Sequence, residues 1–194
     1  MLQFRIMQNA TPVGARYSRG AIAFHWTIAV LILLNFAAAW IADDAPKLEH
    51  DQIIANHKAI GLLILTLSVL RIIWRVTHPA PPFVETLKTW EAAAARVVHS
   101  LFYFLIIAIP FTGWAMVSAG SGGMPVSFFG LFDIPGLPFS ADREKAGVFH
   151  EVHELFATLA LVLVALHVAG ALKHHIIDRD VTLGRMIPWL RRNA

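Results

Sequence analysis

The sequence contains no cysteine and has few charged residues. Without a thiol among its 194 residues, the chain has no disulfide, no cysteine-ligated iron–sulfur cluster, no thiol nucleophile and no covalently attached c-type haem. Charged residues make up 15% of the chain, against about 25% in a typical soluble domain, while hydrophobic residues make up 57%. A surface with so few charges cannot mostly face water. The composition therefore indicates an integral membrane protein.

Four stretches are apolar enough to cross a membrane, which takes about 20 helical residues. The predicted spans cover residues 20–42, 53–76, 97–119 and 149–174. Lys58 and Arg71 interrupt the second stretch, and a proline-rich segment ends it. We therefore predict an all-α fold, an integral membrane four-helix bundle that forms a single domain over residues 1–194. The loop from about 120 to 145 is predicted to cover one face of the bundle.

The loops between these spans differ in their basic residues. One side carries twelve: Arg5, Arg16, Arg19, Arg71, Arg75, Lys88, Arg96, Lys173, Arg179, Arg185, Arg191 and Arg192. The other side carries four: Lys47, Lys58, Arg143 and Lys145. Because basic loops stay in the cytoplasm, the asymmetry predicts that both termini are cytoplasmic. The positive charge is thus a topology signal, and nucleic acid is not an expected partner.

Ten histidines are unusual in so apolar a chain, and both His153 and His167 lie in the fourth predicted span. Ionisable residues inside a membrane span are costly and usually functional. His153 and His167 are 14 residues apart. On a helix this spacing returns to within about 40° of the same face and covers about 21 Å along the axis. One helix thus presents two imidazoles to the bundle interior, one near each membrane surface.

Each of these imidazoles has a candidate partner at its own depth. The first span enters from the cytoplasmic side, so His25 lies level with His167. The second span enters from the opposite side, so His57 lies level with His153. Two imidazoles from facing helices at one depth form a bis-histidine site for haem iron, which carries electrons because no axial position is open. A lone membrane histidine is more often hydrogen-bonded across helices, but two depth-matched pairs favour haem.

Arg71 lies 14 residues after His57, which places it on the same helix face at the depth of the inner pair. A guanidinium there could bind a haem propionate. The alternative is an arginine that snorkels to the cytoplasmic interface. Gly61, Gly113 and Gly170 would let a flat macrocycle approach their helices, although small residues also serve helix packing.

The segments that carry these residues resemble the bacterial cytochrome b561 family. They are RYSRGAIAFHW (16–26), HKAIGLLILTLSVLRIIWR (57–75), VHSLFYFLIIAIPFTGWAM (98–116) and HELFATLALVLVALHVAGALKHHIIDRDVTLGRMIP (153–188). The resemblance covers nearly the whole chain beyond the first 15 residues. It implies a multi-pass cytochrome of the bacterial inner membrane with two haem b groups, one on His25 and His167. The other haem would be held by His57 and His153.

The resemblance also implies electron exchange with ubiquinone or another quinone. One type within the family, superoxide oxidase, takes electrons from superoxide outside and reduces ubiquinone near the cytoplasmic side. The pair His174 and His175, with its sequel DRDVTLGRMIP, matches the quinone-side motif of that type, and His99 also fits. His174 lies two helical turns, about 10 Å, beyond His167 on the same face. The alternative is that His174 and His175 only lie among lipid headgroups.

The outer side departs from the superoxide oxidase type. The outer loop SAGSGGMPVSFFGLF has no basic residue, and the outer side carries nine acidic residues against four basic ones. A net negative entrance repels an anion such as superoxide. Lys58 beside His57 could attract it locally.

The main hypothesis is a membrane di-haem cytochrome that transfers electrons between an extracytoplasmic redox donor and quinone. If superoxide is the donor, the protein is a superoxide:quinone oxidoreductase. The alternative is a haem-bearing subunit of a larger dehydrogenase or hydrogenase, because the same ligands serve both. A metal transporter with histidine zinc ligands would instead need carboxylates midway through the spans. Membrane lipid and quinone are the other expected partners, and the sequence leaves the oligomeric state open.

Overall fold

Four long helices make up most of the protein. The computed structural model describes residues 16–84 and 86–190, so Arg5, Arg191 and Arg192 of the basic set lie outside the described residues. The helices are α1 (Arg19–Asp43), α2 (Lys47–Thr77), α3 (Thr89–Ser121) and α4 (Arg143–Ile176). Two short 3₁₀ helices follow, η1 (Leu183–Arg185) and η2 (Pro188–Leu190). All four long helices are apolar and long enough to cross a membrane, which confirms the predicted helical fold.

Three of the helices begin well before the predicted spans. α2 starts at Lys47 rather than at residue 53, α3 at Thr89 rather than 97, and α4 at Arg143 rather than 149. The added turns contain charged residues, and local bonds support them. The Lys88 amide, for example, donates to a Glu91 carboxylate oxygen at 3.0 Å and caps α3. Hydropathy therefore predicts only the apolar part of each helix, while capping residues fix where the helix begins.

The helices pack in chain order. α1 packs on α2, α2 on α3, and α3 on α4, whereas within the described chain no Cα of α1 comes within 8 Å of a Cα of α4. A small apolar core lies between α3 and α4, where Leu105, Ala160 and Leu163 are buried. Phe36 of α1 reaches this core with its side chain. The bundle is thus held together by three helix pairs, whereas the backbones of α1 and α4 lie further apart.

Close contacts join the segments that carry most of the basic residues. The Trp74 indole Nε1 of α2 donates to Ser18 Oγ just before α1, at 2.9 Å. A Cβ on Gly20 would collide with the Trp74 ring, so this approach of α1 to α2 requires glycine. Lys173 of α4 forms an ion pair with Glu91 of α3. These contacts place the start of α1, the end of α2, the start of α3 and the end of α4 together; we call this the basic end.

The connection between α3 and α4 lies at the opposite end and contains a β-hairpin. Strands β1 (Val126–Phe128) and β2 (Phe132–Ile134) pair antiparallel, with Val126 opposite Ile134. Gly130 at the turn has a φ of 73°, a left-handed conformation that favours glycine. β1 packs against α2, so this loop lies over the bundle as expected. Its strand pairing was not predicted.

Candidate metal centres between the helices

The first histidine pair joins α2 to α4 near the hairpin end. The ring centres of His57 and His153 are 6.3 Å apart, and the rings are inclined at 74°. Two imidazoles that face each other across one metal ion would have ring centres about 6.2 Å apart, given about 2.0 Å for each metal–nitrogen bond and about 1.1 Å from nitrogen to ring centre. The observed separation therefore fits one metal ion between the two rings.

Backbone carbonyl groups orient both rings of this pair. Nδ1 of His57 lies 3.1 Å from the Asn35 carbonyl oxygen, and Nδ1 of His153 lies 2.9 Å from that of Ile109. When Nδ1–H donates to a carbonyl, the other ring nitrogen, Nε2, is left free to bind a metal, which is the usual arrangement of metal-binding histidines. A Cβ on Gly113 would lie 3.1 Å from the His153 ring, so Gly113 makes room for this imidazole.

The second pair joins α1 to α4 towards the basic end. His25 and His167 have ring centres 6.3 Å apart and an inclination of 63°, close to the values of the first pair. His99 of α3 also approaches, with its ring centre 5.6 Å from that of His167. Phe102 packs edge-on against His167 on the same side, at 5.5 Å. The structure thus brings the predicted inner pair and His99 into one cluster.

Arg71 lies beside the second pair, at the depth predicted from its spacing. Its Nη2 is 3.4 Å from Nδ1 of His25, and its guanidinium lies 5.4 Å from the centre of the Tyr103 ring. The side chain is only half-buried. The Arg71 side chain therefore contacts the inner pair in this structure.

The surroundings of both pairs suit a planar group bound through imidazoles. A Cβ on Gly170, three residues after His167, would meet nothing within 4 Å, and a Cβ on Gly61 would meet only the Asn35 amide nitrogen at 4.0 Å. Among the described residues, no carboxylate joins either pair to form a three-ligand cluster. Structural zinc sites normally have four protein ligands, so two imidazoles facing each other beside open space fit a haem better than zinc.

A separate polar cluster lies at the end of α4. Nδ1 of His174 is 2.8 Å from an Asp178 carboxylate oxygen and 3.0 Å from one of Asp180. Lys173 binds Asp178 at 2.7 Å and also contacts the buried Glu91. The Lys173 ammonium holds the pKa of Asp178 below its usual range. The sequence analysis did not predict the role of these carboxylates. The spacing of four residues between His174 and Asp178 could have indicated their contact, because side chains four residues apart are neighbours on a helix.

The fold and these contacts define a class, an integral membrane four-helix bundle with two histidine pairs between its helices. The chain belongs to the prokaryotic cytochrome b561 family, whose model matches residues 16–189. It is therefore a prokaryotic membrane cytochrome, and its family binds haem b in a lipid environment.

Alignments with curated relatives support this membership and cover nearly the whole length of each relative. The chain is 34% identical over 182 residues to cytochrome b561 homolog 2 of Escherichia coli, covering 89% of this chain and 91% of the relative. It is 30% identical over 179 residues to the probable superoxide oxidase CybB of Yersinia pestis, covering 91% and 98%. Cytochrome b561 homolog 1 of Escherichia coli is 28% identical over 175 residues, covering 89% and 97%.

Proposed function

We propose that this protein is a di-haem cytochrome b that transfers electrons between an extracytoplasmic donor and a membrane quinone. The observation that carries the proposal is the equal 6.3 Å separation of two histidine pairs placed 14 residues apart along α4. Haem b, when bound, supplies reversible one-electron transfer. The histidines bind it, and the helices fix the two sites about 21 Å apart along the bundle.

His57 and His153 would hold the outer haem, and His25 and His167 the inner one. The carbonyl partners of His57 and His153 keep the proton on Nδ1 and present Nε2 to the metal. His99 is the competing inner ligand because it also approaches His167. We assign the ligand role to His25, whose 6.3 Å separation from His167 equals that of the outer pair.

Arg71 would bind a propionate of the inner haem. A guanidinium only donates hydrogen bonds, and a metal-binding imidazole keeps its Nδ1 proton, so Arg71 and His25 cannot both donate along their 3.4 Å contact. Once His25 binds metal, Arg71 needs another acceptor. A propionate is a carboxylate that arrives with the haem itself, and arginine binds carboxylates with charge-assisted bonds.

Quinone would react at the basic end, near His174 and His99. Reduction of a quinone to a quinol takes two electrons and two protons, so the site needs a donor group in contact with water. Nδ1 of His174 lies close to carboxylate oxygens of Asp178 and Asp180. With both ring nitrogens protonated, His174 would face these carboxylates with Nδ1 and donate from Nε2 to a quinone carbonyl. The ring centre of His99 lies 5.6 Å from that of His167, so His99 is in contact with the inner pair.

Electrons would enter from the hairpin end, where acidic residues predominate. Of the described ion pairs there, Lys47 binds Asp51 and Lys145 binds Asp142, so these lysines are partly neutralised. An acidic surface favours a neutral or cationic donor over an anion. Superoxide remains a candidate because one relative is named a probable superoxide oxidase, and Lys58 next to His57 supplies a local positive charge. Two superoxide ions would release two O₂ and the two electrons for one quinone.

The decisive experiment is haem counting on purified protein and its variants. We expect two low-spin haems per wild-type chain, loss of one in His153→Ala, and loss of the other in His167→Ala. His150→Ala and His175→Ala, which replace nearby histidines outside the pairs, are matched controls that should keep both. A wild-type ratio of one haem or none per chain would refute the proposal.

Two measurements address the donor and the orientation. Anaerobic protein mixed with a superoxide source should show haem reduction if superoxide is the donor. Co-purification with companion subunits would instead favour the dehydrogenase or hydrogenase alternative.

Because the chain has no cysteine, Ser140→Cys and Thr86→Cys create single labelling sites. An impermeant maleimide should label Ser140→Cys in spheroplasts and Thr86→Cys only after lysis. The reverse pattern would contradict a cytoplasmic basic end.

A further inference from the structure

A cavity of about 250 Å³ lies at the basic end, between the start of α1 and the 3₁₀ segment after α4. Three arginines line it: Arg16, Arg19 and Arg185. No acidic residue is among the residues that line the cavity. None of the three forms an ion pair with a carboxylate in the described part of the chain. The cavity therefore concentrates positive charge without a visible counterion.

The wall that carries Arg185 is fixed by hydrogen bonds to other elements. The Trp26 indole Nε1 donates to the Met186 carbonyl oxygen at 3.0 Å, and Arg185 Nη1 donates to the Pro82 carbonyl oxygen. Nε of Arg185 is buried and has no hydrogen-bond partner among the described residues. A buried N–H of this kind is costly unless a ligand accepts from it. Arg185 is thus oriented by its neighbours and keeps a buried, unused donor at Nε.

The opposite wall is the beginning of α1. This helix of 25 residues starts at Arg19 and has no acidic residue in its first turn, so no negatively charged side chain offsets the positive end of its dipole there. Ser18 accepts from the Ala21 amide, and the preceding residues Arg16 and Tyr17 turn towards the cavity. The wall adds two guanidinium groups and a helix end of the same sign, all of which favour an anion.

The position of the cavity selects the kind of anion. Arg19 is the last charged residue before the apolar span that runs to residue 42, and apolar Ile22 lines the cavity one turn further in. The cavity thus lies where the hydrocarbon core gives way to phospholipid headgroups, with arginines facing the polar side. Arginine forms bidentate, charge-assisted bonds with phosphate. Basic pockets at this level bind lipid phosphates.

We propose that this cavity binds the phosphodiester of an anionic membrane phospholipid, with Arg16, Arg19 and Arg185 as its ligands. The cavity is distinct from the His174 cluster, where Lys173 is already paired with carboxylates. The bound lipid would tie the 3₁₀ segment to the start of α1. The proposal is independent of the route that electrons take.

The test measures lipid binding to the purified holoprotein in mild detergent. Native mass spectrometry and thermal melting are followed while phosphatidylglycerol or phosphatidylcholine is added. Wild-type protein should retain phosphatidylglycerol and melt at a higher temperature with it, and respond much less to phosphatidylcholine. Arg19→Gln with Arg185→Gln should weaken phosphatidylglycerol binding by at least tenfold, roughly the loss expected for charged hydrogen bonds. Arg96→Gln, which removes an exposed arginine from the same end, is the matched control.

Each outcome bears on the proposal. Equal effects of the two lipids on the wild type would overturn it, and so would unchanged lipid binding in the double variant. Inorganic phosphate at millimolar concentration serves as the second probe. If it stabilises wild-type protein as well as phosphatidylglycerol does, the cavity is a free-anion site and the lipid assignment is wrong. The haem spectrum of each variant reports folding, and if the double variant fails to fold, the wild-type lipid comparison decides.

Discussion

Replacing Arg71 with leucine should lower the midpoint potential of the proposed inner haem. A positive charge near the iron favours the reduced state, which carries one positive charge fewer, so its removal favours oxidation. Arg71 is suited to this test because its Nη2 lies only 3.4 Å from Nδ1 of His25. The variant also removes the proposed propionate contact without replacing any proposed haem ligand.

The geometry sets the size of the effect. A metal on Nε2 lies about 4 Å from Nδ1 of the same imidazole, which puts the guanidinium roughly 7 Å from the iron. Coulomb's law with an effective dielectric constant of about 20 gives roughly 2.4 kcal/mol at that distance. For one electron this corresponds to ~100 mV. Arg71 is half-buried, so solvent screening reduces the expected shift to about 50 to 100 mV.

The outer haem is the internal control of the same experiment. The outer pair lies 14 residues, about 21 Å, away along α2, so its shift should be about one third of the inner one at equal dielectric constant. A spectroelectrochemical redox titration of the purified protein resolves the two haems. Arg75→Leu, one turn closer to the basic end, is the matched variant and should shift the inner haem less. An unchanged inner potential in Arg71→Leu would refute the propionate role and favour the snorkelling arginine.

Three further results are expected. In His25→Ala the inner haem should lose its low-spin spectrum, whereas His99→Ala should keep both low-spin haems and slow quinone reduction; the opposite pattern would make His99 the ligand. Asp178→Asn should slow quinone reduction in stopped-flow measurements without changing the haem spectra, and a wild-type rate would remove that carboxylate from the site. Gly20→Val should destabilise the protein by about 1 to 3 kcal/mol through overpacking, whereas Gly147→Val, beside open space, should melt like the wild type.

Features that repeat along one helix were predictable from the sequence. The spacing of His153 and His167 follows from helical geometry, and the depth of their partners follows from the alternating direction of the spans. The position of Arg71 beside His25 came from the same arithmetic. These inferences did not depend on how the loops fold, because a membrane span restricts both the direction and the depth of a helix.

Features that depend on chain turns were not predictable. Asp180 reaches His174 only because the chain reverses after α4, where the Asp180 amide donates to the His174 carbonyl oxygen at 3.0 Å. The hairpin strands are three residues long each, too short for an alternating pattern to show. Glu91 meets Lys173 from a different helix, 82 positions away in sequence. Such long-range contacts leave no periodic signal.

The missing backbone contact between α1 and α4 has a consequence for biogenesis. A chain inserted into the membrane as two helical hairpins, α1 with α2 and α3 with α4, would already have its three packed helix pairs once α2 meets α3. Among the described residues no Cα of α1 lies within 8 Å of a Cα of α4, so this edge is the side from which a haem would reach His25 and His167 out of the lipid. Haem insertion would then be the step that joins α1 to α4 through these two histidines.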